Sequence, residues 1–190
     1  ARFEQAQAAA NYFIDNGLTP IGMDHFALPD DPLALAAHNG TLRRNFQGYT
    51  TDNARTLIGL GASSNSQMPQ GYAQNIIPTA NYMRAVEAGE LAIAKGIAIS
   101  NDDRLHGYVI ERIMCDYALS RLDLEAKFGD AAKAIFKRAD IYLATHKDGL
   151  FVRDDETYRV TDRGRPFVRH IAAIFDTYLE RGTARHSVVV

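Results

Sequence analysis

Apolar positions along the chain recur at two spacings. Phe3, Ala6, Ala10, Phe13 and Ile14 share one face of a 3.6-residue repeat, and Gly17 follows as a left-handed stop, so an opening helix is predicted over residues 1–16. Residues 18–23 are short and apolar behind turn formers, which reads as one strand. Asp30, Asp31 and Pro32 begin a short helix through Ala37 that Gly40 closes. Residues 42–51 look extended. Residues 57–64 pass from apolar to small side chains, a buried strand opening into a loop where a ligand or backbone could approach closely. The softest stretch is 63–74, rich in Ser, Asn, Gln and Gly, and a helix is predicted over 78–87 with Gly89 at its end. The texture changes at Ser100. Ser100 and Asp103 have the spacing of a capping box, opening a helix whose apolar positions are Val109, Ile110, Ile113, Met114 and Tyr117. Helices over 123–128 and 131–144 follow. Leu150 to Val152 and Tyr158 to Val160 then flank polar residues in a hairpin pattern, and Thr161 caps a long final helix running from Phe167 towards Leu179.

Helices, then a hairpin, then a helix is the order of a winged helix. The expected class is therefore α/β. Residues 1–99, with at most three strands, read as the last strands and helices of an incomplete (βα) barrel or open sheet, and 100–190 as a mainly α winged-helix-like domain.

Composition narrows the function classes. The 190 residues are 46% hydrophobic, enough to bury a core without disulfides or a structural metal. The single cysteine, Cys115, can make neither an internal bridge nor a thiolate-held zinc or iron-sulfur site, which needs three or four thiolates. Lys+Arg 21 against Asp+Glu 23 gives a net charge of −2, so no global field draws nucleic acid or anionic lipid. No apolar run is long enough for a membrane helix and no basic-then-apolar leader opens the chain, so a cytoplasmic protein is expected. Ala1 falls in mid-helix, which reads as a piece of a longer polypeptide.

Chemistry-bearing residues gather in a few places. Asp24 and His25 stand at a predicted strand end; adjacent strand residues face opposite sides, so both enter one pocket only if the strand has ended. His38, His106, His146, His170 and His186 have no metal-ligand spacing. Arg43, Arg44, Asn45, Phe46, Gln47, Gly48 and Tyr49 mix cations, an aromatic face and amides, a set suited to an anionic, planar or adenine-bearing ligand. Gly59-Leu60-Gly61 lacks the third glycine of a dinucleotide fingerprint, and Ser63, Ser64 and Ser66 lack a nucleophile elbow. Lys133, Lys137, Arg138 and His146 on the 131–144 helix could serve a nucleic-acid or protein interaction module, the second reading, although Asp130, Asp140, Asp154, Asp155 and Glu156 would repel phosphates.

Taken together, these phrases resemble the C-terminal part of the oxygen-independent coproporphyrinogen III oxidases, radical S-adenosylmethionine enzymes of haem biosynthesis. The likeness runs through Ile21 to Ala27, Arg44 to Thr51, Gly59 to Ser63, Tyr72 to Asn75, Val160 to Arg165 and Phe175 to Leu179. It implies a monomeric cytoplasmic enzyme, supplied by an electron donor, that oxidatively decarboxylates two propionates of coproporphyrinogen III to give protoporphyrinogen IX. In that family a four-iron four-sulfur cluster, held by three cysteines in an earlier C-x-x-x-C-x-x-C motif, cleaves S-adenosylmethionine to a hydrogen-abstracting radical. The motif lies outside this sequence, so the segment alone should be inactive and holds no metal or catalytic residue of its own. The resemblance assigns S-adenosylmethionine contacts to Phe46, Gln47 and Asn65, the last a polar amide where the family pattern has an apolar residue. Beside these, His25, Arg43 and Arg44 are candidates to anchor the substrate's propionates. A relative that handles haem instead of making it is a third reading.

Overall fold

The computed structural model describes residues 2–179. Helix α1 (Arg2–Asp15) ends at Gly17, whose φ of +83° lies in the left-handed region that favours glycine. Strands β1 (Thr19–Gly22) and β2 (His25–Ala27) form an antiparallel hairpin. Asp31 caps α2 (Pro32–His38), its carboxylate accepting from the Leu33 amide at 2.8 Å, with proline in the first turn where no amide hydrogen is needed. Strands β3 (Arg43–Asn45) and β4 (Gly48–Thr50) form a second hairpin. Next come β5 (Asn65–Met68), β6 (Gly71–Asn75), α3 (Thr79–Glu87) and β7 (Ile93–Ala98), with sheet order β5-β6-β7. Helix α4 (Asn101–Asp116), β8 (Ala118–Ser120), α5 (Arg121–Phe128), α6 (Ala132–Thr145), β9 (Phe151–Asp154), β10 (Thr157–Val160) and α7 (Val168–Ala173) complete the described chain. Strands β8, β10 and β9 form an antiparallel sheet in that order.

The backbone gathers into two compact units, one joining the chain up to Thr51 with the chain from Leu105 on, the other comprising residues 52–104. In the first unit, Leu105, Val109 and Ile113 lie four residues apart along α4 and are all buried. They meet Leu124 of α5, Ile135, Phe136 and Ala139 of α6, Phe151 and Tyr158 of the β9–β10 hairpin, and Val168 and Ile171 of α7. Tyr158 is wholly buried, and its hydroxyl donates to the Asp140 carboxylate at 2.8 Å, which satisfies the polar end of a core side chain. A smaller cluster of Ile21, Ala27, Ala34, Ala36, Leu42, Tyr49 and Cys115 packs β1, β2, α2 and β4 on the last turn of α4.

The second unit is held largely by polar contacts. The Asn75 amide donates to the Gly59 and Gly61 carbonyls at 3.0 and 2.9 Å, Ser66 Oγ accepts from the Gly59 amide at 3.0 Å, and Tyr82 Oη accepts from the Gly61 amide at 3.1 Å. At the start of α4 the capping box forms as predicted: Asp103 N donates to Ser100 Oγ at 3.1 Å and Ser100 N to Asp103 Oδ2 at 2.8 Å.

Three expectations are corrected. Residues 2–99 carry seven strands, β1 to β7, rather than at most three, and every pairing among them is antiparallel. Residues 57–64 are not a buried strand: apart from one bridge between Leu57 and Gln67 the segment is a loop, and Ile58 and Leu60 are exposed. Its glycines bond to the Ser66, Asn75 and Tyr82 side chains in place of a neighbouring strand. The strands lie instead in the soft 63–74 stretch, where β5 and β6 pair around Pro69 and Gln70. The long final helix is also broken. The Thr161 carbonyl and hydroxyl organise a turn, Arg165–Phe167 is 3-10, and α7 stops at Ala173 before Asp176 accepts from the Tyr178 amide at 2.8 Å.

Ile113 is fully buried in the larger core. Ile113→Ala is expected to destabilise the protein by about 3 kcal/mol, read from urea unfolding, because it leaves a cavity as well as removing buried methyl groups.

Candidate functional site

The β3–β4 hairpin is the best-built presentation device among the described residues. Asn45 pairs with Gly48, so Phe46 and Gln47 form the connecting loop. Asn45 Oδ1 accepts from the Gln47 amide at 2.8 Å, an Asx turn that holds the loop from within. Gly48 has φ +129°, open to glycine and strained for other residues, and a Cβ there would press to 3.3 Å from His25 Nε2. The backbone is thereby fixed while the Phe46 ring, 52% exposed, and the exposed Gln47 amide face outward.

Helix α4 holds the base of this hairpin. Arg112 Nη2 donates to the Leu42 carbonyl at 3.0 Å; Glu111 Oε1 accepts from Arg43 Nε at 2.8 Å and from the Arg44 amide at 3.2 Å; Tyr49 Oη donates to the Met114 carbonyl at 3.0 Å. Glu111 and Arg112 have side chains 17% and 14% exposed, so these charged bonds are partly shielded from water. Arg112 also bonds Asp116 at 2.7 Å. Burial is the main cause raising both the Asp116 carboxyl and the Tyr49 phenol above their ordinary ranges, with the phenol staying protonated across the physiological range.

The structure brings His25, Arg44 and Tyr49 together. Strand β1 has ended before Asp24, and the two members of the Asp24–His25 pair contact each other, His25 Nδ1 lying 3.0 Å from Asp24 Oδ1. The His25 ring stands edge-on to Tyr49 at 5.2 Å, and the Arg44 guanidinium lies over the Tyr49 ring at 4.7 Å. Arg44 Nη1 is buried with no hydrogen-bond partner. Arg43, half exposed, is committed to Glu111. Asn65 belongs to the other unit, where it is exposed and pairs with Gln74 at the start of β5.

Sequence reasoning did not single out Tyr49, Glu111 or Arg112 as parts of the site. Tyr49 lay inside a noted motif, whereas Glu111 is 68 positions from Arg43 and carried no local signal.

Among the described residues no group of three His, Cys, Asp or Glu side chains could hold a metal ion. Cys115 is buried, and that burial pushes its thiol up to about 12, a value at which thiolate ligation or attack is suppressed near neutral pH. On α6 a shallow cleft is lined by Arg121, Lys133, Phe136, Lys137 and Asp140, none of them a cofactor or substrate candidate. Its cations are largely paired: Arg121 with Glu156 at 2.9 Å and Glu125 at 3.8 Å, and Lys133 with Asp130 at 2.5 Å. No described helix is long and apolar enough to cross a membrane.

Residues 99–167 match the HemN C-terminal domain. Over 190 residues the chain is 43% identical to the oxygen-independent coproporphyrinogen III oxidase of Bradyrhizobium diazoefficiens, covering 100% of this chain and 42% of that protein. It is 46% identical over 188 residues to the enzyme of the same name from Cereibacter sphaeroides, covering 98% of this chain and 41% of that protein. The fold matches the solved structure of coproporphyrinogen III oxidase (HemN) from Escherichia coli, described as a radical SAM enzyme, with a TM-score of 0.82 and 37% identity over 90% of this chain and 40% of that one. In sequence and fold the chain thus resembles a segment of that radical SAM enzyme. It is similar along its length to the oxygen-independent coproporphyrinogen III oxidases and spans about two fifths of the length of the relatives it matches.

A Cβ added at Gly22 would stand 2.5 Å from Tyr49 Cζ and closer still to its hydroxyl oxygen. Gly22→Ala is therefore expected to displace the Tyr49 ring and destabilise the protein by about 2 kcal/mol, measured by denaturant unfolding. A thiol reagent at neutral pH should label Cys115 at least about a hundredfold more slowly in the folded protein than in urea; equal rates would show an accessible, ionisable thiol.

Proposed function

We propose that this chain supplies part of the cofactor and substrate surround of an enzyme that oxidatively decarboxylates coproporphyrinogen III to protoporphyrinogen IX without oxygen. The observation that carries this reading is the braced β3–β4 loop, which presents Phe46 and Gln47 on a backbone fixed at both ends. In the longer protein, residues 1–99 fit the closing part of an incomplete barrel, and residues 100–190 a helical domain with a hairpin wing. The family match beginning at residue 99 and the three helices ahead of the β9–β10 hairpin support that division.

The residues fit one implied cofactor and not the other. With one buried cysteine the chain fits no four-iron four-sulfur cluster, which other parts of the protein must hold. The Phe46 ring and Gln47 amide do fit S-adenosylmethionine: the ring offers a face to adenine, and the amide pairs with its edge or with polar groups of the ligand. When bound, that cofactor supplies the means of abstracting a hydrogen from a propionate. Asn65, which the resemblance also assigns to that cofactor, is a polar amide where the family pattern is apolar.

The substrate carries four carboxylates, and His25, Arg43 and Arg44 are the residues assigned to them in this reading. Arg44 is the best positioned of them, its guanidinium held over the Tyr49 ring at 4.7 Å. An electron donor, a monomeric state and a cytoplasmic setting complete the reading. Pairing of the α6-face cations with acids argues against a nucleic-acid module, since paired cations release few counterions.

In the full-length, cluster-reconstituted protein, Phe46→Ala should weaken S-adenosylmethionine binding about tenfold through lost stacking. Arg44→Ala should raise the KM for coproporphyrinogen III about tenfold while 5′-deoxyadenosine formation changes little. Unchanged cofactor affinity in the first variant would remove Phe46 from the cofactor site, and unchanged substrate affinity in the second would remove Arg44 from the substrate site.

A further inference from the structure

We infer that Glu111 is a positioning residue for the cofactor, acting from the helical domain through the β3–β4 hairpin. The inference rests on the assignment of Phe46 and Gln47 to S-adenosylmethionine and adds a residue that touches neither the cofactor nor the substrate.

The geometry is specific. One carboxylate oxygen of Glu111, Oε1, accepts two hydrogen bonds from β3: from the Arg43 side chain at 2.8 Å and from the Arg44 backbone amide at 3.2 Å. The other oxygen, Oε2, faces Arg112 Nη2 at 3.6 Å, and that same nitrogen donates to the Leu42 carbonyl at 3.0 Å. Adjacent residues of α4 thus grip three consecutive residues of the chain entering the hairpin, Leu42, Arg43 and Arg44. On the returning strand, Tyr49 reaches the Met114 carbonyl. Both legs are tied, and the turn that joins them is the Phe46–Gln47 loop.

A two-stranded hairpin of three residues a leg has little stability of its own. Its direction is therefore set by what holds its base. Of the anchors, Glu111 alone bonds a backbone amide of β3, and a backbone bond fixes the strand's position where a side-chain bond leaves slack. Tilting the base displaces the loop at the far end, and a displacement of about 1 Å in a positioned group can cost two orders of magnitude in function.

Because both bonds to β3 fall on Oε1, the chemistry of the side chain separates positioning from charge. Glu111→Gln keeps an oxygen for the Arg43 and Arg44 donors; Glu111→Ala keeps none; Glu111→Asp keeps the charge but draws it back by one methylene.

The test uses the full-length, cluster-reconstituted protein and measures the Kd for S-adenosylmethionine by equilibrium dialysis beside Tm. Glu111→Ala is expected to raise Kd about tenfold, Glu111→Asp by an intermediate factor, and Glu111→Gln by no more than about threefold. The double variant Glu111→Ala with Phe46→Ala should bind no more weakly than Phe46→Ala alone, within about twofold, because both act on one contact. Should Glu111→Ala fail to fold, the contrast between Glu111→Asp and Glu111→Gln carries the same decision.

The outcomes separate. If Phe46→Ala leaves Kd unchanged, the cofactor assignment falls and the inference with it. If Phe46→Ala weakens binding but neither Glu111→Ala nor Glu111→Asp does, the assignment stands and the positioning role is overturned. Additive losses in the double variant also overturn it, since Glu111 would then act by a route other than the hairpin. A drop in Tm shared equally by Glu111→Gln and Glu111→Ala, with matching changes in Kd, would reduce Glu111 to a stabilising charge.

Discussion

The arrangement of the first unit depends on helix α4 serving two faces at once. Leu105, Val109 and Ile113 fall on one stripe and are drawn out of water into the helical core, each worth about 2 kcal/mol of apolar burial. That burial fixes the helix in rotation. With the apolar stripe committed, Glu111 and Arg112 must emerge elsewhere on the helix, and there they meet the hairpin that carries Phe46 and Gln47. The last turn joins the two clusters directly, Met114 packing in the larger and Cys115 in the smaller.

This coupling gives the C-terminal helices a role beyond covering surface. A short hairpin braced by charge-assisted bonds of low exposure is stiffer than one braced by exposed ion pairs, which water and salt weaken. Tyr49 adds a second brace of another kind: burial holds its phenol neutral and its hydroxyl donates to a helix carbonyl, while its ring seats Arg44 on one side and meets His25 on another. One aromatic side chain thus contacts both Arg44 and His25.

The other unit is built differently. Its buried side chains are few and small or polar, Ser66, Ala73, Asn75 and Ala92 among them, while Ile58, Leu60, Leu91 and Ile97 are exposed. Hydrogen bonds from Asn75, Ser66 and Tyr82 hold its glycine loop where an apolar core of comparable size would need larger side chains. Satisfying each buried polar group is what makes such a core stable, because an orphaned donor or acceptor costs more than a formed bond returns.

The sequence by itself determined the elements whose signals are local. The capping box at Ser100, the Asp31 and Pro32 start of α2, the glycine stop at Gly17 and the apolar stripe of α4 each depend on residues within one or two turns, and each stands where its pattern puts it. The Arg43 to Tyr49 stretch was read as extended from its own letters, and the structure forms it into the β3–β4 hairpin. Tertiary structure alone decided the strands of the polar 63–74 segment, whose buried positions, Ser66, Gly71 and Ala73, carry small or polar residues and so no apolar alternation, and the loop at 57–64, whose apolar letters are outweighed by side-chain bonds to its glycines. It also decided that Glu111 and Arg112, unremarkable on a helix, would meet Leu42, Arg43 and Arg44. Contacts between residues nearly seventy positions apart depend on how the cores pack, and no short window of sequence contains that information.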